Sequence, residues 1–164
     1  MLYQTSFYSY LKNWLTVTAT IENVGTMFDR ICQKHKINTM TENQTKTTIT
    51  DLTNLIIEAM QDRKAKDITI VDMSDIESAS VGKFIICQAT STTQVSAIAD
   101  NIREHLNQTI KRKPYGYDGY RNCQWIAIDY GDIIAHVFLP EFREFYCLEQ
   151  LWNDAVITDI ENLD

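Results

Sequence analysis

Two apolar runs, Cys123 to Tyr130 and Asp132 to Leu139, meet at a single glycine, Gly131. Each run has the length and β-branched content of a strand, and a glycine between them supplies the positive φ that a tight hairpin needs. This commits the C-terminal half of the chain to a sheet. The residues after the hairpin are equally directive: Pro140 suits the first turn of a helix carrying Phe142, Phe145, Tyr146, Leu148, Leu151 and Trp152.

Upstream of the hairpin the periodicities are of two kinds. Leu52, Leu55, Ile56, Ala59 and Met60 recur at helical spacing, with Thr50 or Asp51 placed to cap the start. Asp67 to Asp72 alternates and is β-branched, and Lys83 to Gln88 is apolar enough for a sheet interior. Between them Met73 to Gly82 is a polar, acidic connection. Ser91 to Gln94 opens a long helix with Val95, Ile98, Ala99, Ile102 and Leu106 on one stripe, ended by Lys111-Arg112-Lys113-Pro114. Tyr115 to Asn122 reads as a loop. The order α-β-β-α-β-β-α predicts an α/β domain with a mixed β-sheet flanked by helices.

The ends of the chain differ from this middle. Residues 1–39 carry a charge of +2, whereas the rest carries −9. They are rich in Thr, Ser and aromatics without a clean period, and they lack the continuous apolar stretch of a signal peptide. With the polar run Thr41 to Thr48 behind them, residues 1–49 are expected to be an N-terminal extension outside the fold. Residues 50–153 form the domain. Residues 154–164, acidic and without a base, are expected to be a loose C-terminal tail.

Composition narrows the function. The 164 residues are 45% hydrophobic and 23% charged, which is globular rather than disordered. A net charge of −7 argues against a protein that coats nucleic acid and suits one that docks on a basic protein. No apolar run approaches the roughly 20 residues that span a bilayer. The four cysteines, Cys32, Cys87, Cys123 and Cys147, form no close pair, so buried reduced thiols in a reducing, cytoplasmic compartment are expected.

Several constellations invite chemistry, and each has a plainer explanation. Asp72, Asp75, Asp129, Asp132 and His136 include metal-ligand types, yet Asp129 and Asp132 flank a turn that favours Asp, and His136 lies in an apolar strand. Ser91, Thr92 and Thr93 lack the glycines of a phosphate loop and suit an N-cap. Lys111 to Lys113 beside Tyr115, Tyr117 and Tyr120 resemble a basic-aromatic RNA surface, while cations at a helix C-terminus also complement its dipole. No catalytic triad or paired acid stands out. No cofactor or metal is expected.

The run from Trp125 to Phe138 (Trp-Ile-Ala-Ile-Asp-Tyr-Gly-Asp-Ile-Ile-Ala-His-Val-Phe) resembles the signature of the ribosomal silencing factor family, RsfS or Iojap. Ala97 to Ile102 resembles that family's central helix. Gly116-Tyr-Asp-Gly119 resembles its Gly-x-Glu-Gly loop with Asp118 for Glu, and Arg143 to Trp152 resembles its closing helix. Lys66 to Asp72 fits as well. Two departures stand out: Gly82 replaces a usual Asp, and Thr93-Gln94 replaces a frequent Arg-His.

The resemblance implies a nucleotidyltransferase-like fold without enzymatic activity. It implies a factor that binds the large ribosomal subunit through its protein number fourteen, blocks joining of the small subunit, and represses translation or aids large-subunit biogenesis. A homodimer is implied for the free protein. On this reading Trp125 and Tyr130 are partly exposed aromatic anchors, Asp129, Asp132 and His136 provide polar recognition, and Tyr146 contributes to the surface. The alternative is a nucleotidyltransferase-like metal-dependent enzyme. It would require an Asp-x-Asp pair behind a Gly-Ser turn, and the pairs Asp72/Asp75 and Asp129/Asp132 have neither that spacing nor that turn.

Overall fold

A computed structural model describes residues 42–152 and 154–163. The apolar stripe of Leu52, Ile56, Ala59 and Met60 lies on helix α1 (Glu42–Asp62), after which come strands β1 (Lys66–Asp72) and β2 (Lys83–Gln88). Helix α2 (Thr92–Ile110) leads to β3 (Gly116–Asp118), β4 (Trp125–Asp129) and β5 (Ile133–Phe138). Helix α3 (Pro140–Tyr146), a single 3-10 turn (Leu148–Gln150) and β6 (Val156–Ile160) complete the order. The mixed α/β architecture is the one expected from the hydrophobic pattern.

The sheet order is β3-β4-β5-β2-β1-β6. Two antiparallel blocks, β6-β1-β2 and β5-β4-β3, join at one parallel seam between β2 and β5. Helix α2 makes the crossover. Its N-cap is Ser91, whose hydroxyl accepts from the Gln94 N–H. Gln94 in turn donates to the carbonyls of Arg63 and Lys64 at 3.1 and 3.2 Å, clamping the start of α2 to the turn after α1. Gln94 therefore has a structural task where the family often has His. The C-cap, Lys111, adopts left-handed backbone with φ 55.

Both helices cover one sheet face. Val95, Ile98, Ala99, Ile102 and Leu106 of α2 join the α1 stripe over Ile85, Cys87, Ile126, Ile128, Ala135 and Val137. Alternation along the strands sends Trp125, Ala127, Asp129, Ile134, His136 and Phe138 to the opposite face. All of these are buried too.

Four expectations need correction. The first helix begins at Glu42, eight residues before Thr50, so residues 42–49 belong to the domain; residues 1–39 lie outside the described residues. The expected loose tail over 154–164 contains a strand: Val156–Ile160 pairs with β1 in antiparallel register, from Ile68 opposite Ile160 to Asp72 opposite Val156. The Tyr115 to Asn122 loop contains β3, paired to β4. The closing helix stops at Tyr146 because Cys147 takes φ 42, which ends α-helical hydrogen bonding and restarts it as 3-10.

Arg143 fastens α3 to the far side of the sheet. It donates to Glu149 at 2.8 Å and to Thr69 Oγ1 at 2.9 Å, and Thr69 donates onward to Asp159 at 2.8 Å. The C-terminal strand is thus held by side chains as well as by its ladder.

Candidate functional site

The face of the sheet opposite α1 and α2 carries a cluster of rings around one imidazole. Trp125 on β4 and Phe138 on β5 are register partners, and their rings stack at 4.8 Å with 18° between planes. His136, two residues before Phe138 on the same face, lies between Trp125 and Phe84, whose ring meets it edge-on at 4.9 Å. The parallel β2–β5 seam is what brings Phe84 here. Tyr146 on α3 leans over Trp125 at 4.9 Å.

The polar atoms inside this cluster are few. Trp125 Nε1 donates to His136 Nδ1 at 3.1 Å. An imidazole that accepts at Nδ1 while neutral carries its hydrogen on Nε2. That Nε2 is buried without a hydrogen-bond partner. Burial pushes the His136 pKa down to about 3 from 6.5.

This has a measurable consequence. In the unfolded chain the imidazole protonates near 6.5, and in the fold only near 3, so acid favours unfolding. The stabilisation is complete above 6.5 and is lost as pH falls towards the folded value, by up to about 1.4 kcal/mol per pH unit. The urea midpoint should fall between pH 7 and pH 5. His136→Gln keeps an acceptor for Trp125 and should flatten that slope. A wild-type midpoint constant over this range contradicts the assignment.

The expected site residues divide into two groups. Trp125, His136 and Tyr146 come together. Asp129, Tyr130 and Asp132 instead build the hairpin turn: the Gly131 N–H donates to Asp129 Oδ1 at 2.8 Å, and Gly131 has φ +98. The Tyr130 carbonyl accepts from Arg112 at 2.7 Å. The Tyr130 ring packs into the core beneath α2, on the sheet face opposite Trp125, and burial pushes its hydroxyl pKa up.

The expectation that Trp125 and Tyr130 stand partly exposed is therefore corrected. They are 5% and 0% exposed, because cross-strand stacking holds the first and the helix-side core encloses the second. Asp129 and His136 are also buried. Asp132 is exposed and Tyr146 half-buried, so these two alone of the six present substantial surface. Phe84 and Phe138 were missed as members of the cluster. Phe138 ends the signature run, but nothing local to Phe84 announces its neighbours across a parallel seam.

The metal-ligand types do not assemble. Asp72 is paired with Lys83 and accepts from Ser74 Oγ at 2.6 Å. Burial works to raise its pKa, but the hydrogen bonds from Lys83 and Ser74 outweigh it and hold the carboxyl below its ordinary value. Among the described residues no three His, Cys, Asp or Glu side chains could hold a metal ion. Gly82, the other departure from the family pattern, packs on the hairpin: a Cβ there would come within 3.3 Å of the Asp132 carbonyl oxygen. Cys87, Cys123 and Cys147 are free thiols, and burial pushes Cys87 up to about 12; Cys32 lies outside the described residues. No helix among the described residues is long and apolar enough to cross a membrane.

Comparison with known proteins bears on the family and the fold. The family model described as ribosomal silencing factor during starvation matches residues 45–164. The chain is similar to the ribosomal silencing factor RsfS of Halalkalibacterium halodurans, 34% identical over 116 residues that cover 69% of this chain and 95% of that protein. It is also similar to the mouse mitochondrial assembly of ribosomal large subunit protein 1, at 27% identity over 60% of this chain and 44% of that one. A crystal structure from Chromobacterium violaceum superposes with a TM-score of 0.60 at 34% identity, covering 63% of this chain and 85% of that one.

Proposed function

Because the chain belongs to the ribosomal silencing factor family, RsfS or Iojap, we propose that it docks on the large ribosomal subunit, through ribosomal protein number fourteen, and hinders joining of the small subunit. The observation that carries this reading is the extent of the family match, residues 45–164, which takes in every strand of the sheet, all of α2 and all but the first three residues of α1. Its net charge of −7 supports approach to a basic ribosomal protein by electrostatic steering. Tyr146, half-buried on α3, is the accessible aromatic anchor. Trp125 and Phe138 hold it from beneath, and Asp132 offers an exposed carboxylate at the hairpin turn. The factor acts in the cytoplasm without catalysis, and is a homodimer when free.

Sedimentation of the full chain with separated ribosomal subunits tests the proposal. The chain should co-migrate with large subunits only, and adding it before mixing should reduce the yield of joined ribosomes. Equal migration with small subunits, or an undiminished yield, would overturn it.

A further inference from the structure

A third of the chain's 15 Lys and Arg residues fall in one stretch. Between residues 103 and 121, Arg103, Lys111, Arg112, Lys113 and Arg121 meet only Glu104 and Asp118. The fold turns this run into a surface. Left-handed backbone at Lys111 ends α2 and reverses the chain into β3, which lies at the edge of the sheet. Tyr117 is opposite Ile128, a residue that faces the helices, so its ring lies on the helix side beside α2. There the Arg103 guanidinium sits 4.0 Å from the ring centroid of Tyr117. Tyr120 packs edge-on against Tyr117 at 5.4 Å, and its hydroxyl donates to Asp100 at 3.0 Å.

Two large rings nevertheless remain open to solvent: Tyr115 is 63% exposed and Tyr117 49%. Tyr115 lies over Gly131, where a Cβ would come within 3.1 Å of its ring, next to the Arg112 guanidinium. Neither ring belongs to the core cluster. Tyr117 is held in place by a cation on one side, which lowers the entropy it would lose on binding. Lys111, Lys113 and Arg121 are exposed in the same stretch of chain, with the Lys111 ammonium donating to the Gln108 carbonyl at 3.3 Å.

We propose that this patch binds single-stranded RNA, with bases stacking on Tyr115 and Tyr117 and phosphates meeting Lys111, Lys113 and Arg121. Stacked bases and a cationic track are the two components of sequence-tolerant single-strand recognition. An acidic peptide would satisfy the cations and leave both rings without a flat partner. The negative charge elsewhere on the chain confines RNA to this edge, so the protein does not coat it. The proposal is independent of docking to a ribosomal protein.

Fluorescence anisotropy of a labelled single-stranded RNA 12-mer, titrated at low salt with the full chain, tests it. Binding should weaken with salt at a slope near −0.7 for each phosphate neutralised, about −2 for three cations. Tyr115→Ala with Tyr117→Ala should weaken it about tenfold or more, while far-UV circular dichroism shows the fold retained despite the lost Arg103 and Tyr120 contacts. Lys111→Ala with Lys113→Ala should make the slope shallower by about 1.4. No binding at low salt overturns the proposal, as does binding indifferent to the tyrosine pair. Equal binding of a polyglutamate peptide, or of a duplex of the same length, overturns it too, since neither offers open base faces.

Discussion

Truncating Trp125 to alanine should lower the unfolding free energy by about 3–5 kcal/mol, the range for an aromatic removed from a packed interior. The ring is 5% exposed, stacks on Phe138 at 4.8 Å, supports Tyr146 at 4.9 Å and donates to His136. Its loss leaves a cavity and strips the imidazole of its donor in one step. Urea unfolding reads the loss directly. Large-subunit binding by the fraction still folded then shows whether the ring acts through Tyr146 or touches the partner. An unchanged midpoint with abolished binding would mean that Trp125 is an accessible anchor rather than a buried support.

Gly119→Ala should be of similar severity for a different reason. Gly119 has φ +98, and a Cβ there would lie 1.9 Å from the Trp125 carbonyl oxygen and 3.0 Å from Ile126 Cα. Both are backbone atoms, so no side chain can swing aside. Left-handed strain adds to the overlap, and the loop would have to lift off the start of β4. A loss of at least about 3 kcal/mol in urea unfolding is expected. Gly116→Ala is the matching control. It has nothing within 4 Å of an added Cβ and should change stability by no more than about 0.5 kcal/mol. If the two variants melt alike, the close approach at Gly119 is wrong.

These two positions show what can be read from a sequence of this kind and what cannot. The hairpin around Gly131, the α2 stripe and its Ser91 cap were legible because each announces itself within a few residues. The start of α1 was not, since Glu42 to Thr50 has no apolar stripe to mark it. β6 hid in an acidic stretch because an edge strand needs no alternating apolar pattern: Val156 to Asp159 are all exposed. The site was legible in membership and illegible in orientation. The odd spacing of Trp125 and Tyr130 sends them to opposite sides, but β4 and β5 are buried at every position, so the pattern does not reveal which face the helices cover. The cluster around His136 also depends on β2 lying beside β5, a pairing between residues some fifty positions apart.

The place of β6 in the sheet bears on the order in which the chain is made. Among the described strands β1 comes first in the chain and its outer neighbour β6 comes last: Thr69 waits 90 residues for the carboxylate of Asp159 that it will bond. While the rest of the chain is still being translated, one flank of β1 is an open row of amide and carbonyl groups, apt to pair with whatever strand is near. β1 therefore gains its outer neighbour only after Val156–Ile160 has been made. A nascent chain stalled before Val156 would hold both helices and the hairpin but not the strand that closes its flank.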